Sequence, residues 1–99
     1  MLADMYRRGA DRLEIDVGTA KTQQELHDLI FEAFQFPDYY GSNWDAFDEC
    51  IQDVSVPSVI QITHFEVLRS RLPREAELMS DCLQYFVQSH EPKITVQIS

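Results

Sequence analysis

The chain has 99 residues and carries 17 acidic against 8 basic side chains, a net charge of −9. That length makes one domain with a modest core, and no apolar run approaches the length of a membrane span. A field of this sign repels nucleic acid and attracts basic proteins or cations. The imbalance is also clustered. Between Lys21 and Arg69 there is no lysine or arginine, while Glu25, Asp28, Glu32, Asp38, Asp45, Asp48, Glu49, Asp53 and Glu66 supply nine acids. Solubility accounts for the sign of the charge but not for its clustering.

Residues 1–10 read as an irregular or weakly helical extension ahead of a single domain at 11–99. They lack the apolar core of a signal peptide, and Asp4 and Asp11 flank Arg7 and Arg8, unlike a mitochondrial presequence. The expected location is therefore the cytoplasm. Leu13, Ile15 and Val17 alternate with Glu14 and Asp16 as in a strand with one wetter face, ended by Gly18. Thr22-Gln23-Gln24-Glu25 fits a capping box and opens a helix. Leu26, Leu29, Ile30, Ala33 and Phe34 form its buried stripe, and Pro37 stops it. His27, at the edge of that stripe, reads as a structural histidine, since no nucleophile is placed to pair with it.

The most informative stretch is Pro37 to Val54. Pro37 and Gly41 supply turn chemistry, Gly41 being able to take a positive φ. Ser42 or Asn43 caps the helix that follows, which puts Asp45 in the first turn, where the helix dipole favours a carboxylate. At about 100° per residue, Trp44, Phe47, Ile51 and Val54 fall on one face and Asp45, Asp48, Glu49, Gln52 and Asp53 on the other. Asp45 and Glu49 form a like-charge i,i+4 pair costing roughly 0.2–0.5 kcal/mol. A solvated helix face would look similar. The Tyr39-Tyr40-Gly41 turn set directly before these acids favours a protein-recognition surface.

Val59 to Thr63 is a short β-branched strand. His64 to Leu72 carries Phe65, Val67, Leu68 and Leu72 and forms a short helix, and Pro73 opens the next one. The stripe of that helix is Ala76, Met79, Cys82, Leu83, Phe86 and Val87. Pro92 separates it from a last strand, Ile94 to Ile98. The order predicts a two-layer α/β domain, a three-stranded parallel sheet packed against helices. Cys50 and Cys82 sit on or beside apolar stripes and read as free thiols. Two cysteines so far apart do not supply a metal site.

Catalysis finds little support. The glycines are scattered, so no phosphate-cradling loop is evident, and no nucleophile motif is present. Divalent cations favour clustered carboxylates, but a continuous helix lacks the backbone oxygens of a calcium loop. No cofactor or metal is expected.

Tyr39-Tyr40-Gly41-Ser42-Asn43-Trp44-Asp45-Ala46-Phe47, followed by Cys50-Ile51, resembles the barstar family of intracellular ribonuclease inhibitors. The resemblance runs back through Glu25-Leu26-His27 and Pro37-Asp38. It runs forward, more weakly, through Leu83-Gln84 and Phe86 to Ile94–Ser99. It implies the same α/β fold, no enzymatic activity, and an antitoxin-like role. The partner would be a basic extracellular-type ribonuclease or nuclease toxin, neither nucleic acid nor membrane, and the free protein a monomer. The implied contact set is Tyr39, Gly41, Asn43, Asp45, Ala46, Asp48 and Glu49. Glu49 would enter the nuclease's phosphate site and pair with its arginines and histidine. Asp45 would pair with a neighbouring arginine, and Tyr39 would pack on the catalytic histidine. Asn43 would fix the loop and the helix start.

The chain also departs from the family pattern. Glu49 stands where the family inhibitor has aspartate, and Asp48 where it has an aromatic. Gln88 aligns with an acidic contact, Val54 with an aromatic, and the extension has no counterpart. These changes bear on which ribonuclease or basic toxin is met more than on how it is bound. The competing reading is a barstar-fold adaptor or regulator that binds a different basic protein without inhibiting a nuclease. A small acidic enzyme or metal-binding protein is a third.

Overall fold

The structure is a computed structural model and describes residues 5–9, 11–89 and 93–99. In chain order its strands are β1 (Tyr6–Arg8), β2 (Arg12–Asp16), β3 (Val59–Thr63) and β4 (Thr95–Ile98). Its helices are α1 (Gln23–Phe34), α2 (Trp44–Asp53), α3 (Phe65–Arg71) and α4 (Pro73–Ser89), and a 3-10 turn at Val17–Thr19 follows β2.

The alternation read at Leu13–Asp16 and Val59–Thr63 is a register. β2 and β3 pair in parallel with Leu13 opposite Ile60 and Ile15 opposite Ile62, and β3 pairs in parallel with β4, Ile60 opposite Val96. Side chains two apart share a sheet face, so Leu13, Ile15, Ile60 and Ile62 make one buried layer. Glu14, Gln61 and Gln97 line up on the other face. The helical connections between parallel strands bring the stripes of α1, α2 and α4 onto the apolar face. Leu26, Leu29, Ile30, Ala33 and Phe34 from α1, Phe47 and Ile51 from α2, and Ala76, Met79, Leu83 and Phe86 from α4 are all buried there. Cys82 and Val87, expected in the α4 stripe, are half-buried. Both cysteines are free thiols.

Among the described residues the sheet has four strands, not the three expected. Residues 6–8, read as irregular or weakly helical, pair antiparallel with β2, with Tyr6 opposite Ile15 and Arg8 opposite Leu13. The Gly9 N–H donates to the Arg12 carbonyl at 2.7 Å, and the Asp16 N–H reaches the Met5 carbonyl at 2.7 Å. A three-residue strand holding two arginines shows no period of its own, and the open edge of β2 supplies the ladder that fixes it. The expectations for residues 1–4 and for Pro92 lie outside the described residues.

Helix boundaries follow local chemistry. The Thr22 hydroxyl accepts from the Glu25 N–H at 3.1 Å. The Glu25 carboxylate reaches back one residue further than in a standard capping box, to the Lys21 N–H at 3.0 Å. α1 stops at Gln35, which adopts the left-handed conformation (φ 58°), two residues before Pro37. Pro73 is the first residue of α4, where its missing N–H costs no hydrogen bond. Among the described residues no helix is long and apolar enough to cross a membrane.

Candidate functional site

Pro37 to Asp53 builds one continuous surface. The Tyr40 N–H donates to the Pro37 carbonyl at 3.0 Å, closing a turn that leaves Tyr39 outside, 67% exposed, and Tyr40 inside. Asn43, not Ser42, caps α2. Its Oδ1 accepts from the Ala46 N–H at 2.8 Å, and its Nδ2 donates back to the Gly41 carbonyl at 3.3 Å. The positive φ expected at Gly41 belongs instead to Ser42, at 55°; Gly41 itself does not have one. The glycine has a different reason to be there. A Cβ at 41 would stand 3.3 Å from Asn43 Nδ2 and 3.7 Å from Ala46 Cβ, crowding the capping amide. One Asn side chain thus ties the turn and the first helical turn together, as expected of the residue that fixes both.

Underneath lies an aromatic layer that orients the turn. The Tyr40 hydroxyl hydrogen-bonds His27 Nδ1, and the Tyr40 ring packs 4.9 Å from that of Phe36. Trp44, the first residue of α2, packs with its ring centre 4.6 Å from His27 in a tilted arrangement and 5.5 Å from Phe47 edge-on. Its indole N–H donates to Glu75 on α4 at 2.9 Å. Burial pushes the Tyr40 hydroxyl far up, which keeps it a neutral hydrogen-bonding group at any physiological pH. Burial pushes His27 down, against the pull of Glu75 and Asp28. His27 is buried at the centre of this layer rather than at the edge of a stripe.

The outer face of α2 is acidic. Asp45 and Glu49 are exposed one turn apart, and Asp53 follows. Among the described residues the ion pairs of lysine or arginine are Arg12–Glu14 and Arg69–Glu66, His64 lies against Asp16 and buried His27 lies 4.0 Å from Glu75, so none relieves Asp45, Asp48, Glu49 or Asp53. Carboxylates held one turn apart with no cation nearby are electrostatically unfavourable and gain from a basic partner. The Tyr39 hydroxyl donates to Asp53 Oδ2 at 3.4 Å, which draws the exposed ring alongside the acids. Partial desolvation and then the Asp53 carboxylate hold that hydroxyl above its ordinary range. A shallow depression of about 350 Å³ runs between Asp48, Glu49, Gln52 and Asp53.

Asp48 differs from its neighbours. It is half-buried and its carboxylate faces the Cys82 thiol on α4. Burial first, and then Asp48, push that thiol up to about 12. Ala46 is half-buried under the turn. Tyr39, Gly41, Asn43, Asp45, Ala46, Asp48 and Glu49 therefore share one contiguous strip. Gln88 does not join it, and lines a separate groove between α4 and β4 with Leu83, Gln84, Val87, Val96 and Ile98. Val54 is half-buried at the end of α2. The links from Tyr39 to Asp53 and from Trp44 to Glu75 were not expected from the sequence. A buried indole N–H signals that an acceptor exists, but not which of many acids supplies it 31 residues away. Among the described residues no group of three or more histidine, cysteine or acidic side chains is arranged to hold a metal ion.

The family model described as "Barstar (barnase inhibitor)" matches residues 10–98. A Bacillus subtilis (strain 168) protein named "Putative ribonuclease inhibitor YrdF" is 30% identical over 74 residues, covering 74% of this chain and 81% of that protein. With a family model matching nearly the whole chain, the protein belongs to the barstar family.

Proposed function

We propose that this protein inhibits a barnase-type ribonuclease, or a related basic nuclease toxin, by occluding its active site with the acidic face of α2 and the Tyr39–Gly41 turn. The observation that carries the reading is a pair of exposed carboxylates, Asp45 and Glu49, held one turn apart on a capped helix with no cation beside them among the described residues. A ribonuclease gathers lysine, arginine and histidine towards its substrate's phosphates. Carboxylates at one-turn spacing can take those positions, and a helix offers no scissile bond. Tyr39 supplies an exposed aromatic beside the acids for an apolar anchor, and Asn43 holds the turn and helix in one arrangement before contact, which lowers the ordering cost of binding. Asp45 and Glu49 are the charge-bearing contacts. Gly41, exposed and without a side chain, lets the partner approach the backbone, Ala46 supports the turn from below, and Asp48 sits at the rim beside Cys82.

In this reading the protein acts in the cytoplasm as a monomer that meets a protein, not a nucleic acid or a membrane. The family description names barnase as the target of its members. Glu49, with one methylene more than aspartate, and a carboxylate at position 48 instead of an aromatic fit a relative of that nuclease with a deeper or more basic site. The test is titration of a barnase-type ribonuclease with this protein, reading residual RNA cleavage at low and high salt. Stoichiometric inhibition that weakens as salt rises is the expected outcome. Full cleavage at both salts overturns the proposal and points to an adaptor that uses the same acidic face on another basic protein.

A further inference from the structure

Arg8 stands on a short edge strand yet reaches both ends of the candidate site's framework. Its Nη1 donates to the Ala33 carbonyl at 3.1 Å and its Nη2 to the Ser55 carbonyl at 3.0 Å. Ala33 lies in the last turn of α1, and Ser55 lies two residues beyond the end of α2. The carbonyls at a helix's C-terminal end lack intrahelical partners, and a cation there is favoured. Neither helix supplies its own. Both lack a basic residue in the last turn, and α2 runs out through Val54 in an extended conformation (φ −101°, ψ 158°) rather than a left-handed cap. Among the described residues no other lysine or arginine side chain hydrogen-bonds to α2 or to residues 54–57. A planar guanidinium can hold two carbonyls in fixed geometry, which a single ammonium cannot do. The strand that delivers it, Tyr6–Arg8, lies outside the residues 10–98 that match the family model.

We propose that Arg8 is a positioning residue for the acidic helix. By tying Ser55 to the end of α1, it fixes where the half of α2 that bears Glu49 and Asp53 stands relative to the Tyr39 turn. The N-terminal strand is then part of the inhibitor's working structure, an addition to the family domain that sets the aim of its recognition helix. This rests on α2 being the nuclease-binding element.

Arg71 provides a matched control. Its Nη1 likewise donates to two backbone carbonyls, Gly18 at 2.9 Å and Ala20 at 3.1 Å, without touching α2. Arg8→Gln and Arg71→Gln change the net charge equally. Removing a cation from an acidic inhibitor favours a basic partner at long range, so weaker binding by Arg8→Gln runs against charge alone. The experiment measures the dissociation constant for a barnase-type ribonuclease and amide hydrogen exchange across α2 for both variants and for Arg8→Lys. Arg8→Gln is expected to weaken binding roughly tenfold through lost hydrogen bonds to a charged donor, with faster exchange confined to residues 50–55. Arg8→Lys should recover part of the loss, and Arg71→Gln should stay within about twofold of wild type, as an uncoupled distant site does. Unchanged binding and exchange in Arg8→Gln, or equal weakening by Arg71→Gln, overturns the proposal. If the wild-type protein binds no such nuclease, the α2 reading fails, and exchange alone decides for Arg8: local loss of protection keeps the brace, and none removes it. If Arg8→Gln does not fold, Arg8→Lys against Arg71→Lys makes the same comparison, with weaker binding in the first alone supporting the proposal and equal binding overturning it.

Discussion

Trp44 places its ring in the core, 8% exposed, while its N–H holds Glu75 on α4. Trp44→Ala removes a large buried side chain and leaves Glu75 without its donor, so it should destabilise the fold by ~3–5 kcal/mol. Urea unfolding measures this, and a near-neutral change would mean that the faces of α2 are reversed. His27 makes a second residue-scale prediction. Burial lowers its pKa in the folded state, so the unfolded chain takes up a proton more readily. Stability is then full above the ordinary value of 6.5 and falls as pH drops through the depressed folded value. The slope reaches at most ~1.4 kcal/mol per pH unit for one group. Urea unfolding between pH 7 and pH 5 should show this decline in the wild type and a flatter profile in His27→Gln. An identical profile in both would place the linkage elsewhere. These two residues also mark what could be read in advance. The spacing of Trp44, Phe47 and Ile51 identifies the buried face of α2, because helical period is local. The partners of Trp44 and His27 come from α4 and the turn, and nothing within a few residues of either points to them.

The two faces of α2 have different consequences for stability. Its inner face is core, while its outer acids repel one another and meet no cation among the described residues. Glu49→Ala should therefore leave the melting temperature equal or slightly raised, by the equivalent of roughly 0.2–0.5 kcal/mol, and Asp45→Ala, which also gives up a first-turn carboxylate favoured by the helix dipole, should leave it about unchanged. A large drop in either would make those carboxylates structural. Asn43→Ala should behave oppositely and cost about 1 kcal/mol, because it removes the cap of α2 and frees the turn at Gly41. The element boundaries were legible where one residue dictates them: Thr22 opens α1, and Pro73 opens α4. They were ambiguous where two neighbours could serve. Ser42 and Asn43 both carry a capping oxygen, and the left-handed residue proved to be Ser42, beside a glycine whose missing side chain leaves room for the capping amide of Asn43. β1 was illegible because a strand so short draws its identity from its neighbour's open edge.

At the scale of the whole molecule, fold and charge are separable. The parallel sheet and its helical layer follow from apolar spacing that any sequence of the class would share. The net charge of −9 is carried largely by the stretch between Lys21 and Arg69, which contains α1 and α2. The proposed strip Tyr39 to Glu49 stands out in the sequence because its residues are contiguous, whereas the placement of Glu75 and Cys82 of α4 beside it needed the tertiary arrangement. The most direct test of the central claim is the dissociation constant of a barnase-type ribonuclease with wild-type protein and with Glu49→Ala, at matched folding stability. Loss of about 2 kcal/mol or more in Glu49→Ala is the expected result, since a truncated hot-spot carboxylate leaves desolvated basic groups unpaired. A dissociation constant unchanged by Glu49→Ala would contradict the account of α2 as the inhibitory element.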